Sequence, residues 1–174
     1  SDCMVQNEKI TCVIVSMKEG LTAIWADLII DCTGDADAAY YAGVPTVLGD
    51  GQGFMQPTTL FFEVSGINRD VFLSELEKNR KRLNKHGANC FNWIIEEKRK
   101  TGEWKIDRNE LGNYEQSTHG RWKINTTRMA NIDATKTEQV SLAMREGRKQ
   151  VQDVLNFMRK YLAGCENIQL IQVA

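Results

Sequence analysis

The order of apolar and polar residues predicts a β-rich start to the chain. Val, Ile and Thr are frequent over residues 9–17 and 21–25, and a glycine-containing turn separates these two strand candidates. Residues 4–10 are a candidate first strand, with a hairpin turn at Asn7-Glu8-Lys9. Leu28-Ile29-Ile30 is an apolar run without alternation, which is typical of a strand buried on both faces. The pattern therefore predicts a β-meander that leads into a buried strand.

The remaining residues mix short strands with amphipathic helices. Residues 60–64 have the composition of a strand, and Asn68 is placed to cap a helix that follows. The spacing of apolar residues predicts helices at about 69–86, 89–100 and 136–163. The last is a long amphipathic helix, and Thr135-Lys136-Thr137-Glu138 before it fits a capping box. The predicted fold class is α+β.

A small acidic turn, Asp31-Cys32-Thr33-Gly34-Asp35, follows the predicted buried strand. Gly34 allows the backbone to turn sharply or to approach a ligand closely. Asp35 and Asp37 are placed to cap the N–H groups of the next segment, which favours a structural turn. A ligand site is the alternative, because loops at sheet ends bind ligands in open α/β folds.

A second group of candidate residues lies within a strand-like run at 117–129. The planar guanidinium of Arg128 could grip a carboxylate, and Asn125 precedes it by three positions. His119 has an ordinary pKa near ~6.5 and could act as an acid or base, although a lone histidine is more often a structural residue. Both interpretations of His119 stay open at this point.

Composition narrows the class of protein. Lys and Arg total 22 against 23 Asp and Glu, so the net charge of −1 gives no broad attraction to nucleic acid or to an anionic membrane. No stretch reaches the ~20 apolar residues that span a bilayer. The five cysteines form no C-x-x-C pair and no cluster with histidine, so no metal site is predicted. We expect a soluble, cytoplasmic protein with reduced thiols.

Four ordered sequence blocks resemble those of a known family. They read T-G-D-A-D-A-A-x-x-A-G-V-P from Thr33, M-Q-P-T-T-L from Met55, H-G-x-x-x-I-N-T-T-R from His119, and E-G-R-K-Q-V from Glu146. In this order they resemble the FAD-dependent oxidoreductase family, which is related to flavoproteins of the glutathione-reductase and fumarate-reductase types. The T-G-D turn then corresponds to one whose backbone lies against the cofactor.

The resemblance implies a role for each candidate residue. It implies a partial FAD-binding domain at residues 1–45, with a β-meander and a late strand, and a substrate or cap-like domain at 46–174. It places Gln56 and Pro57 near the isoalloxazine of FAD, and it makes Asn125 and Arg128 candidates for substrate binding. The implied cofactor contacts are Thr33, Gly34, Asp35, Gln56 and Pro57, and the implied catalytic residues are His119 and Arg128.

The resemblance also implies that the chain is an internal fragment. No G-x-G-x-x-G follows any predicted strand, so the usual pyrophosphate site is missing. We expect the partners to be the missing N- and C-terminal segments of the same protein and a small-molecule substrate. The full protein would transfer a hydride between an organic substrate and FAD, whereas the isolated chain would bind FAD weakly or not at all. The alternative is a non-catalytic α+β binding or assembly module whose tryptophans contact a partner, including a carbohydrate.

Overall fold

A computed structural model describes residues 2–79, 91–118 and 120–174. The chain divides into two compact units, Ser1–Gly53 and Phe54–Ala174. Each unit contains an antiparallel sheet and at least one helix, so the α+β class predicted from the sequence is confirmed. The division falls at the end of a glycine-rich stretch, downstream of the domain boundary predicted after Pro45.

The first unit is built on the predicted β-meander. Strands β1 (Asp2–Gln6), β2 (Lys9–Met17) and β3 (Gly20–Trp25) pair in chain order. Asn7 and Glu8 both have positive φ, 50° and 60°, which is the geometry of a tight turn that matches the twist of the strands. A short helix, α1 (Asp37–Tyr41), follows, and the Cys3 thiol of β1 donates to its Ala38 carbonyl at 3.5 Å.

The segment between β3 and α1 differs from the sequence prediction. Leu28-Ile29-Ile30 is predicted as a buried late strand, but it pairs with no strand among the described residues. Leu28 is 79% exposed and Ile30 is 77% exposed. A strand needs a neighbour that completes its backbone hydrogen bonds, and the part of the chain that the structure describes supplies none here. The predicted strand is therefore wrong for this structure.

Over its described residues, the second unit is a four-stranded antiparallel sheet with three helices. In chain order its elements are β4 (Phe62–Ser65), α2 (Arg69–Lys78), α3 (Asn92–Lys100), β5 (Gly112–Glu115), β6 (Trp122–Asn125), α4 (Thr137–Tyr161) and β7 (Gln169–Val173). The strand order is β5-β6-β4-β7. The buried apolar residues alternate along β4 and β6, at Phe62, Val64, Trp122 and Ile124, although Glu63 on β4 is buried as well. This spacing of two puts one face of the sheet in the core.

The long C-terminal helix confirms the sequence prediction, whereas its predicted cap is wrong. Its apolar side chains Val151, Val154, Leu155 and Met158 are buried at helical spacing. The Thr135 hydroxyl donates to Asp133 at 2.6 Å, in a local turn that precedes the helix. Lys136 is the residue at the N-cap, and it makes no side-chain capping hydrogen bond. The capping box fails because the helix begins at Thr137, so that Lys136 and not Thr135 stands at the N-cap, and a lysine side chain offers no acceptor.

The start of α2 agrees with the sequence prediction, but the helix ends at Lys78 with Asn79 at its C-cap, before the predicted end at about 86. The Asn68 side chain caps α2 as predicted, because its oxygen accepts from the Val71 N–H at 3.3 Å. Residues 80–90, which include the predicted end of this helix and the start of the next, lie outside the described residues. No helix in the described ranges is both long enough and apolar enough to cross a membrane.

Candidate functional site

The acidic turn of the first unit is organised by Asp31. Its carboxylate accepts hydrogen bonds from the Thr33 N–H at 3.0 Å, the Thr33 hydroxyl at 2.8 Å and the Ala39 N–H at 2.9 Å. These bonds, first among them the one from the Thr33 backbone, hold the pKa of Asp31 below its usual value. The Thr33 hydroxyl in turn accepts from the Asp37 N–H at 2.8 Å. Asp31 and Thr33 therefore take up the free N–H groups of α1, a role that the sequence analysis gave to Asp35 and Asp37.

Gly34 and Asp35 leave backbone donors at the surface of this turn. Gly34 has φ +88°, a conformation that glycine adopts without strain, and both residues are exposed. Neither N–H group has an acceptor among the described residues. Two free N–H donors suit the acceptor oxygens of a cofactor such as FAD, so the turn fits the predicted role through its backbone. The Thr33 hydroxyl already forms hydrogen bonds within the turn, to the Asp31 carboxylate and from the Asp37 N–H.

A polar cavity of about 680 Å³ in the second unit brings together four predicted site residues. Gln56, Pro57, Asn125 and Arg128 all line it, although they come from two blocks that are far apart in the sequence. The remaining lining residues are Thr58, Thr59, Asp107, Arg108, Asn109, Glu110 and Thr127. His119, the predicted acid or base, lies outside the described residues.

Backbone pairing holds these two blocks side by side. The Thr58 N–H donates to the Met129 carbonyl at 3.0 Å, and the Met129 N–H donates back to Thr58 at 2.9 Å. The Leu60 N–H donates to the Thr127 hydroxyl at 2.8 Å, one step along the same pair of segments. Because these contacts fix the relative register, the side chains of both blocks reach the same cavity.

A chain of hydrogen bonds sets the orientation of the Asn125 side chain. Its oxygen Oδ1 lies 3.1 Å from the Thr59 hydroxyl and 3.4 Å from Nη1 of Arg108. A guanidinium can only donate, so the Asn125 atom that faces Arg108 must be the oxygen. The Thr59 hydroxyl also lies 3.1 Å from the Thr127 hydroxyl, which itself lies within donating distance of the Leu60 carbonyl at 3.1 Å. Within the part of the chain that the structure describes, the amide nitrogen of Asn125 has no acceptor, so it can donate to a ligand.

Helix α4 holds the backbone of Arg128 through one side chain. Gln150 accepts from the Arg128 N–H at 2.8 Å and donates from Nε2 to the Arg128 carbonyl at 3.0 Å. One turn earlier, Gly147 packs so closely that a Cβ there would lie 2.7 Å from Leu60 and 3.0 Å from Met129. Through these contacts the E-G-R-K-Q-V block of α4 holds the two chain segments that line the cavity. The sequence analysis assigned neither residue to the site, since both fit the helical pattern.

Arg108 is a cavity residue that the sequence analysis missed. Its carbonyl accepts from Arg99 Nη2 at 2.8 Å and from the Trp104 indole N–H at 2.9 Å, so its backbone is held from two sides. The sequence at 104–111 fits either a strand or an extended arm, without a motif that marks Arg108 as a binding residue. No local sequence pattern identifies Arg108 as a cavity residue, because only the tertiary fold brings this segment to Asn125.

Two of the four tryptophans do not form a contact surface. Trp104 and Trp122 are each only 3% exposed. Trp104 packs edge-to-face on Phe157 with ring centroids 4.6 Å apart, and Trp122 packs on Phe72 at 5.0 Å. Both side chains are therefore core residues, and neither lines the polar cavity.

A smaller cavity of about 350 Å³ at the end of α4 contains a satisfied ionic cluster. Glu103 binds Lys160 at 2.8 Å, accepts from the Thr101 hydroxyl at 2.9 Å and also accepts from the Tyr161 hydroxyl. The bond to Lys160, followed by those to Tyr161 and Thr101, lowers the pKa of Glu103 to about 2. Every group in this cluster has a partner within the fold, so the arrangement is that of a structural tie between α4 and the loop after α3.

Comparison with known proteins identifies the family. The profile described as FAD dependent oxidoreductase matches residues 1–174, so the chain belongs to the FAD-dependent oxidoreductase family. The family resemblance drawn from the four sequence blocks is thereby confirmed. Neither the curated proteins nor the solved structures include a significant match.

Proposed function

We propose that the chain is part of a flavoenzyme that transfers a hydride between an organic substrate and FAD. The family assignment supports a flavin oxidoreductase, and FAD would supply the redox chemistry when bound. The chain's own residues would hold and orient the two reactants. The backbone N–H groups at Thr33-Gly34-Asp35 would bind the cofactor, and Gln56 and Pro57 would lie on its isoalloxazine side.

The single observation that carries this proposal is the polar cavity at Asn125 and Arg128. Residues separated by about seventy positions in the sequence meet there. Hydrogen bonds made by Thr58, Thr127 and Gln150 hold these residues in place. Such preorganised donors are what orientation of a substrate requires. In this proposal Arg128 holds a negative group of the substrate, Asn125 donates a hydrogen bond to it, and His119 transfers a proton.

We further propose that other segments of the same protein complete the flavin site. The sequence contains no G-x-G-x-x-G, so the main donors for a pyrophosphate are missing from it. The exposed Leu28 and Ile30 offer an apolar edge that such a segment would cover. The intact mass of the native polypeptide, captured with an antibody raised to this region, tests the proposal. A mass well above 19.8 kDa supports it, whereas a mass of 19.8 kDa together with a stoichiometric FAD complex of the isolated chain overturns it.

The cytoplasmic location predicted from the sequence is retained as a proposal. Cys3, Cys12, Cys32 and Cys165 are free thiols, which suits a reducing compartment. Fractionation of the source cells, followed by detection with the same antibody, measures the location directly. Recovery with the soluble cytoplasmic fraction supports it, and recovery with any other fraction contradicts it.

The substrate role of Arg128 is tested in the native, flavin-containing protein. Substrates are first found by anaerobic bleaching of the flavin absorption band with a panel of organic acids and alcohols. Arg128→Ala should then reduce the bleaching rate by about tenfold or more at unchanged flavin content, because a charge-assisted bond is lost. Arg145→Ala, on an exposed part of α4, is the matched control and should leave the rate unchanged. Equal rates for wild type and Arg128→Ala would remove Arg128 from the site.

A further inference from the structure

Two arginines line the polar cavity without an acidic partner. Arg108 and Arg128 are both half-buried, and no carboxylate lies within ion-pair distance of either guanidinium among the described residues. Asp107 and Glu110 also line the cavity. A partly desolvated cation without a counter-charge is stabilised by any anion that reaches it.

We propose that Arg108 is a second ligand-binding residue, and that Arg108 and Arg128 together select an organic acid by its carboxylate oxygens. This inference rests on the proposed function, because it names the substrate class of the same cavity. It adds a residue that the sequence analysis did not assign.

Neighbouring side chains hold the backbone of both arginines, which favours a built site over two surface cations. Arg99 and Trp104 fix the carbonyl of Arg108 at 2.8 and 2.9 Å, and Gln150 binds both backbone groups of Arg128. Each guanidinium therefore starts from a backbone that is held in place before a ligand arrives. Such preorganisation reduces the entropy lost on binding.

The donors of the cavity match a carboxylate. Arg108 Nη1 fixes the Asn125 oxygen at 3.4 Å, so the Asn125 amide nitrogen remains as a further donor for the ligand. A carboxylate has two acceptor oxygens in one plane, which suit the fork of a guanidinium. Among the described residues the lining contains neither lysine nor glycine, and phosphate sites commonly use a glycine-rich backbone or a helix N-terminus. The cavity therefore favours a carboxylate over a phosphate.

The test uses malonate as the probe, with malonamide as its neutral isostere and inorganic phosphate as the competing anion. The chain is titrated at constant ionic strength while the side-chain Nε–H resonances of Arg108 and Arg128 are followed by NMR. Malonate should shift both resonances saturably, and malonamide should shift neither. Arg108→Lys keeps the charge but loses the fork, and it should weaken malonate binding by about tenfold. Arg108→Gln is a second variant, and Arg145→Lys is the control that should bind malonate as wild type does.

Three results would each overturn the inference. They are an unchanged malonate affinity in both folded Arg108 variants, equal shifts by malonamide, and tighter binding of phosphate than of malonate. The titration needs no flavin, so it can succeed even if the native protein proves to contain none. In the opposite case, flavin bleaching that depends on Arg128 but not on Arg108 would keep the proposed function and reject the second binding residue.

Discussion

Replacing Gln150 tests whether α4 holds the backbone of Arg128 in place. The change is Gln150→Met, which keeps the length of the side chain but removes the acceptor at 2.8 Å and the donor at 3.0 Å. A net hydrogen bond contributes about 0.5–1.5 kcal/mol, so two bonds give an expected loss of about 1–3 kcal/mol in the free energy of unfolding. Water can replace part of each bond because the site is only partly buried, which favours the lower half of that range.

Urea denaturation measures this loss, and amide hydrogen exchange locates it. The Arg128 N–H should exchange faster in Gln150→Met, since its acceptor is gone. Gln152→Met is the matched control, because Gln152 lies on the same helix with an exposed side chain. The reasoning is refuted if both variants lose the same stability, or if the Arg128 N–H exchanges at the wild-type rate in Gln150→Met.

A kinetic readout separates positioning from stability. In the native flavin-containing protein, Gln150→Met should lower the bleaching rate in the wild-type background but have little further effect in an Arg128→Ala background. The two bonds go to the Arg128 backbone, which the alanine variant retains, so their stability contribution is the same in both backgrounds. Additive kinetic effects would show that Gln150 does not act through the Arg128 side chain.

Three further predictions concern the support of the fold. Gly147→Ala should lower stability by about 1 kcal/mol in urea denaturation, since contacts at 2.7 Å to Leu60 outweigh the helix propensity that alanine gains; a more stable variant would show that Leu60 moves aside freely. Glu103 has its pKa lowered to about 2, so its stabilising effect is complete above its ordinary pKa of 4.5 and is lost as the pH falls toward 2. The difference in melting temperature between wild type and Glu103→Gln should therefore shrink on acidification, and a constant difference would contradict the pairing. Asp31→Ala should speed exchange of the Thr33 and Ala39 N–H groups, and unchanged exchange would exclude Asp31 as their acceptor.

The sequence predicted those parts of the fold whose cause is local. The meander follows from β-branched runs and turn residues, and α4 follows from apolar spacing over twenty-five residues. The predicted buried strand at Leu28-Ile29-Ile30 failed because apolar character indicates burial, while a strand also needs a hydrogen-bonding neighbour. The capping box failed because the helix begins at Thr137, which places Lys136, a residue without an acceptor in its side chain, at the N-cap.

The sequence predicted only part of the candidate site, because some of its residues are brought there by tertiary contacts. Gln56, Pro57, Asn125 and Arg128 were found through sequence blocks, and the structure places all four around one cavity. Arg108 lies in an irregular arm, so its meeting with Asn125 at 3.4 Å depends on contacts that no local pattern encodes. The sequence did not mark Gln150 as a site residue for a different reason: a polar residue on an amphipathic helix is ordinarily expected to face solvent.

The stoichiometry of flavin in the native protein tests the central claim most directly. The protein would be purified from its source cells without denaturation, and the released flavin would be identified by mass spectrometry and counted against the polypeptide. The account predicts FAD in a stoichiometric amount on a polypeptide that contains this chain. A native protein that is free of FAD, and that takes up none when FAD is added, would contradict it.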